Sequence, residues 1–190
     1  MGRGRLEAFS DGVIAILITI MVLELRAPHG HDLAALTPLL PTLSSYGLSF
    51  VFLGIYWNNH HHLMHAVKVV DGSVLWANLH LLFWLSLVPF GTAWMDEAGF
   101  AATPVAMYGA ILLLSGVAYF VLTRMLLASN GADSVLAAAI GRDRKGKVSI
   151  VIYAAAIALA FVHVGIALAL YVVVAVIWFV PDRRIERTLG

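Results

Sequence analysis

The side chains that could carry chemistry in this sequence are polar groups set at the ends of long apolar runs. Polar and ionisable groups inside a membrane-spanning helix are costly, so they commonly mark functional sites. They predict a hydrogen-bonded network between helices or, since His and Asp titrate near neutral pH when their surroundings shift them, a proton relay. Simple anchoring at the depth of the lipid headgroups is the alternative. The residues are Arg5, Ser10, Asp11, Asn58, His60, His61, His62 and Asn78.

Four histidines between positions 60 and 65 raise the question of a metal site. His61 and His65 have the i, i+4 spacing that places two imidazoles on one helical face. The same stretch holds no carboxylate and no HExxH pattern, and a zinc site needs further ligands. We therefore predict no metal site and no cofactor, and metal binding at 60–65 remains an alternative.

An enzyme is not expected. The sequence has no cysteine and no GxSxG element, and Ser10 beside Asp11 does not make a catalytic triad.

The composition places most of the chain in lipid. Hydrophobic residues make up 61% of the 190 residues, charged residues 12%, and the mean hydropathy is +0.90. A soluble domain has roughly 45–50% apolar and about 25% charged residues. A net charge of +1 without a basic stripe gives no reason to expect a nucleic-acid partner.

The apolar runs predict an all-α polytopic membrane protein with six transmembrane helices in a single domain over residues 1–190. A bilayer core needs roughly 20 helical residues, and the last run, 148–180, is too long for one span. We split it near His163 and Gly165 into a short hairpin. The predicted spans are 9–25, 43–64, 74–95, 104–127, 148–162 and 166–180.

The positions of Lys and Arg predict the orientation. Cytoplasmic loops carry the excess of these residues. Six spans with both termini in the cytoplasm leave only Arg26 outside, whereas five spans would place Arg183, Arg184 and Arg187 outside. The cytoplasmic set is Arg3, Arg5, Lys68, Arg124, Arg142, Arg144, Lys145, Lys147, Arg183, Arg184 and Arg187.

The segment Arg5-Leu6-Glu7-Ala8-Phe9-Ser10-Asp11 is an RxxxFSD pattern that opens the first span. It resembles the transmembrane protein 175 family of endosomal and lysosomal potassium channels and its prokaryotic relatives. Two further segments are similar to the pattern of that family, Tyr56-Trp57-Asn58-Asn59-His60-His61 in span two and Asn78 with Pro89-Phe90-Gly91-Thr92 in span three. A single six-span repeat resembles the prokaryotic form, which assembles as a homotetramer in the cell membrane.

The resemblance implies a potassium-permeable channel whose central pore is lined by span one from each subunit. Its constriction would be the aliphatic side chains of Ile16, Ile20 and Leu23, with Thr19 as a polar layer. A hydrophobic constriction, without a carbonyl filter of the TVGYG kind, selects weakly for potassium over sodium through the cost of partial dehydration. Periodicity alone leaves open whether this stripe faces lipid or protein.

The resemblance also implies a structural and gating network at the inner ends of the first three spans. It would include one or more histidines of the run at 60–62. A proton-permeable channel of the same architecture and a non-conducting membrane protein remain alternatives. The residues assigned to the network are Arg5, Phe9, Ser10, Asp11, Trp57, Asn58, His61, His62 and Asn78.

Overall fold

The computed structural model describes residues 2–131, 134, 136–137 and 144–179, and these residues form helices and loops without a strand. The prediction of an all-α chain is confirmed over this part. A 3-10 helix, Leu33–Leu39, precedes the second α-helix. The α-helices are α1 (Arg3–Val22), α2 (Leu40–His65), α3 (Gly72–Ser86), α4 (Val88–Glu97), α5 (Ala102–Asn130), α6 (Arg144–Ala160) and α7 (Val164–Phe179).

Three helical segments are long and apolar enough to cross a membrane: Leu33–His65, Gly72–Glu97 and Ala102–Asn130. α7 is a shorter apolar helix. α1 begins at Arg3 and ends at Val22, so it starts and stops earlier than the predicted span 9–25. Several residues used to predict the orientation lie outside the described part of the chain, namely Arg142, Arg183, Arg184, Arg187 and the side chain of Arg144. Val180, the end of the predicted sixth span, also lies outside it.

The third predicted span consists of two helices that meet at Leu87. Pro89 has no N–H to donate to the carbonyl four residues earlier, and its ring crowds that carbonyl. The N–H of Leu87 bonds to the carbonyl of Trp84 at 3.2 Å, and α4 restarts with Pro89 in its first turn. Thr92, which follows this break in α4, is buried in the bundle.

The split of the last apolar stretch falls at residues 161–163, close to the predicted position. The N–H of His163 bonds to the carbonyl of Leu159 at 2.8 Å, and this bond closes α6. The imidazole Nδ1 of His163 accepts the N–H of Gly165 at 3.1 Å. A side chain that accepts an N–H in the first turn satisfies a group that the helix leaves unpaired. His163 therefore ends α6 with its backbone N–H and caps the start of α7 with its side chain.

α1 lies at one edge of the bundle. It packs against α2, α3 and α4, whereas α5 packs against α3, α4, α6 and α7. The loop between α2 and α3 is fastened to the end of α5, because Asn130 Oδ1 accepts the N–H groups of Lys68 and Val69, each at 2.9 Å. The hydroxyl of Ser129 donates to Asp71 at 2.6 Å, and this contact contributes most to holding the pKa of that carboxyl below its ordinary value. These bonds fix where α3 begins.

Gly109 lies where α5 packs tightly against Tyr171 of α7. The Tyr171 hydroxyl donates to the carbonyl of Val105 at 3.0 Å, and a Cβ on Gly109 would overlap that hydroxyl and ring. Gly116, two turns further along α5, has only the Tyr56 hydroxyl nearby, at 3.7 Å from an added Cβ. Small residues let helix backbones come close in a membrane.

We expect Gly109→Ala to destabilise the purified protein by roughly 1–3 kcal/mol, since overpacking forces the tyrosine away from its carbonyl. Gly116→Ala is the matched control and should be neutral or mildly stabilising, because Ala is the better helix former. Thermal unfolding in detergent followed by tryptophan fluorescence measures both. Equal melting temperatures for the two variants would contradict this account of the α5–α7 contact.

Candidate functional site

α1 has one buried face and one open face. Leu6, Ser10, Ile14, Leu17 and Met21 are buried, at spacings of four, four, three and four residues that keep them on one side of the helix. No element among the described residues covers the opposite side, where the side chains are mostly exposed. α1 is thus held along one stripe and free along the other.

All four residues of the predicted constriction lie on the open face of α1. The side chains of Ile16, Ile20 and Leu23 are 56%, 43% and 77% exposed. The Thr19 hydroxyl is also exposed and donates to carbonyls of its own helix, those of Ala15 at 3.1 Å and Ile16 at 3.0 Å. Leu23 is the residue that caps the end of α1 and still has helical backbone angles, so it continues the same stripe.

A chain of hydrogen bonds joins the buried face of α1 to α2 and α3. Asn78 Nδ2 donates to Ser10 Oγ at 2.9 Å, and Asn78 Oδ1 lies 2.8 Å from His60 Nε2. Since the amide oxygen can only accept, the proton in this contact belongs to the histidine. The Ser10 hydroxyl in turn donates to the carbonyl of Leu6 at 2.9 Å. Ser10, His60 and Asn78 are all fully buried, so three helices share one directed, water-excluded chain.

The structure places His60 in this chain, whereas His61 and His62, which the sequence analysis assigned to the network, have other neighbours. His61 instead contacts Glu7 of α1 through its Nδ1, at 3.0 Å, and stacks on Trp57. His62 is partly buried, beside the ring of His61. Successive residues on a helix point about 100° apart, so only one histidine of the run can face Asn78.

The other assigned residues lie around this chain and not within it. Arg5 and Phe9 are exposed on the open side of α1, and Trp57 and Asn58 are exposed on α2. Asp11 is partly buried, and its Oδ1 has no hydrogen-bond partner among the described residues. Within those residues, neither Arg5 nor Asp11 forms an ion pair. A buried carboxylate oxygen without a donor is costly, so Asp11 Oδ1 is an unsatisfied polar group within the described part of the chain.

A second buried polar group, which the sequence reading missed, lies nearer the other end of the bundle. Ser49 Oγ is 2.7 Å from Thr92 Oγ1 and 2.9 Å from the Tyr108 hydroxyl, and all three residues are buried. Because the Thr92 hydroxyl donates to the carbonyl of Val88 at 2.8 Å, the direction of the whole chain is fixed, from Tyr108 to Ser49 to Thr92. The sequence signal that could have revealed this group was single hydroxyl side chains within apolar runs. This group ties α2 to α4 and α5.

The end of the bundle opposite the N-terminus holds a polar cavity of about 260 Å³. Thr42 donates to Asp96 Oδ1 at 2.9 Å on its wall. The lining residues are Glu24, Arg26, Leu39, Thr42, Ala93, Asp96 and Glu97.

Known proteins resemble this chain over its whole length. The family model of the endosomal/lysosomal potassium channel TMEM175 matches residues 5–89, which contain α1, α2, α3 and the hydrogen-bonded chain. A potassium channel of Chryseobacterium sp. (strain P1-3) is 52% identical over 189 residues, 100% of this chain and 98% of the relative. The human endosomal/lysosomal proton channel TMEM175 is 32% identical over 117 residues, 55% of this chain and 23% of the human protein. The crystal structure of a lysosomal potassium-selective channel TMEM175 homolog from Chamaesiphon minutus aligns with a TM-score of 0.75 at 27% identity, covering 99% and 98% of the two chains.

We expect Asn78→Ala to lower the free energy of unfolding by about 1–3 kcal/mol, because it leaves the buried Nε2–H of His60 without an acceptor and removes the donor to Ser10 Oγ. Asn59→Ala is the matched control, since among the described residues that amide donates to a carbonyl of its own helix, Ile55 at 2.8 Å. Denaturant titration in detergent compares the two. A smaller loss for Asn78→Ala than for Asn59→Ala would refute the role given to the chain.

Proposed function

This chain belongs to the TMEM175 family, and on that premise we propose that it forms a potassium-permeable channel whose pore is lined by α1. The observation that carries the proposal is the open face of α1, which presents Ile16, Thr19, Ile20 and Leu23 away from the rest of the chain. The family is one of ion channels and not of enzymes. Potassium ions, lipid and further copies of the chain are the only partners that the proposal needs, without a cofactor.

The working unit in this proposal is a homotetramer around a central axis, built from one six-span repeat per copy. Beside the aliphatic stripe, the open face of α1 has a row of small residues, Gly4, Ala8, Gly12 and Ala15, all exposed. A Cβ added to Gly4 or Gly12 would meet nothing within 4 Å, so packing within the chain does not require these glycines. Small residues at such spacing favour close contact between helices in lipid.

Contacts between copies would also supply the missing partner of Asp11. Arg5 is exposed, one and a half turns before Asp11, and cannot reach it well along the same helix. A guanidinium from a neighbouring copy would pair with the carboxylate of Asp11 and offset its charge. The chain from His60 through Asn78 to Ser10 would then fix the angle of α1 in each copy, as a positioning and gating element.

The constriction would select by dehydration. Rings of Ile16, Ile20 and Leu23 offer no oxygen to replace the hydration shell of an ion, so an ion that passes them must lose part of that shell. Potassium holds its water less tightly than sodium does, and weak selectivity for potassium follows. The same rings could close the pore by dewetting. In the proposed orientation both termini lie in the cytoplasm, and the end of the bundle that contains Asn78 is the inner one.

Ile16→Asn should raise potassium flux and reduce the preference over sodium, because an amide ring lowers the dehydration barrier. Removal of about 1.4 kcal/mol of barrier corresponds to about a tenfold faster flux. Leu23→Asn should have an effect in the same direction. Val176→Asn on α7, which is 59% exposed, is the matched control. The measurement is flux from potassium-loaded proteoliposomes, with a pH-sensitive dye and a protonophore.

Wild-type rates in both Ile16→Asn and Leu23→Asn would show that the pore lies elsewhere. Absence of flux in the wild-type protein would favour a non-conducting membrane protein.

A proton-permeable channel of the same architecture is the second candidate. The human relative is named a proton channel, and this chain has titratable groups at the helix that would line the pore, Asp11 on that helix and His60 on the neighbouring α2. The same vesicles separate the two functions. With valinomycin to carry potassium and without a protonophore, only a proton-permeable protein changes the dye signal.

A further inference from the structure

A cluster of three potential ligands joins the beginning of α1 to the end of α2. Glu7 Oε1 lies 3.0 Å from His61 Nδ1 and 3.8 Å from His65 Nε2. The three ligand atoms all lie within 4.8 Å of one another. The sequence reading found the two histidines but no acid near them, and the fold supplies the acid from a residue 54 positions earlier than His61.

We propose that Glu7, His61 and His65 bind a divalent transition-metal ion of the zinc class. Zinc-class ions bind well to two imidazoles and one carboxylate, whereas Ca²⁺ and Mg²⁺ prefer ligand sets made of oxygen atoms. Metal–ligand bonds of about 2.0–2.2 Å at a tetrahedral angle place neighbouring ligand atoms about 3.4 Å apart. The two contacts of Glu7, at 3.0 and 3.8 Å, bracket that separation.

The cluster is held in place by neighbours. The Arg3 guanidinium donates to the carbonyls of His65 and Val67, both at 3.3 Å, which fixes the start of α1 against the end of α2. Trp57 stacks on His61 with an angle of 21° between the rings. The imidazoles of His61 and His65 are one helical turn apart, with ring centroids separated by 4.3 Å. Little rearrangement would be needed to close three ligands around one ion.

The cluster is also open to water. The side chain of Glu7 is 16% exposed, that of His61 is 39% exposed, and that of His65 is 50% exposed. An ion could enter, and positions not taken by protein would remain for water. A bound ion would clamp α1 to α2 beside the buried chain that ends at Ser10. The site does not rest on potassium conduction, because its three ligands and their geometry are independent of any pore.

The test is titration of chelator-stripped, detergent-purified protein with Zn²⁺ by calorimetry, after removal of any polyhistidine tag. We expect one Zn²⁺ per chain, a higher melting temperature with Zn²⁺, and no heat from Ca²⁺ or Mg²⁺ at the same concentrations. Glu7→Gln and His65→Ala should each weaken binding more than the 10- to 100-fold that loss of an outer-shell partner costs. His62→Ala is the matched control and should bind as the wild type does.

Other results would overturn the proposal. The proposal is wrong if the wild type does not bind Zn²⁺, if both ligand variants bind Zn²⁺ as tightly as the wild type, or if His62→Ala loses as much Zn²⁺ affinity as they do. In the first case the cluster is a plain ion pair between helices. Elution volume and melting temperature without metal show whether each variant is folded. His65→Ala is the second ligand variant in case Glu7→Gln misfolds, because the contact of His65 with Glu7, at 3.8 Å, is longer than that of His61.

Discussion

The amide of Asn78 is the contact on which the arrangement of this bundle depends. It donates to Ser10 of α1 and accepts from His60 of α2, so one side chain on α3 fixes the position of two other helices. In an apolar environment the attraction between helices is not hydrophobic, and specific hydrogen bonds and close packing determine how helices associate. A buried chain in which every bond has a fixed direction allows few alternative registers.

The open face of α1 follows from that anchoring. Because Ser10 must face Asn78, residues half a turn away must face outward, and these include Ile16, Thr19 and Leu23. Two observations support the proposed assembly: the open face keeps glycines that packing among the described residues does not require, and Asp11 has a carboxylate oxygen without a donor there. Polar groups away from water must be satisfied by hydrogen bonds. This requirement accounts for the buried chain within one copy, and it also supports the proposed contacts between copies.

The polar groups at opposite ends of the bundle differ in kind. The group near the N-terminus combines a neutral buried chain with an accessible cluster of Glu7 and two histidines, whereas the group of Ser49, Thr92 and Tyr108 consists of hydroxyls only. Hydroxyls tie helices together at modest cost, since they can rotate to satisfy one another. Titratable groups respond to ions and protons. Such groups lie beside α1 near the N-terminus and, at the other end, in the cavity lined by Glu24, Asp96 and Glu97, so a chemical signal could act on α1 at either end.

The amino-acid sequence alone indicated the helical class, the approximate position of the helices, the split near His163 and the polar residues Ser10, Asp11 and Asn78 within the spans. Apolar run length and the cost of polar groups in lipid are properties of local sequence. The sequence could not determine which histidine of the run joins Asn78, that Glu7 meets His61, or that the aliphatic stripe of α1 is uncovered. Each of these depends on how one helix is rotated against another. Tertiary packing sets that rotation, since neighbouring residues differ by about 100° and the partners come from distant parts of the chain.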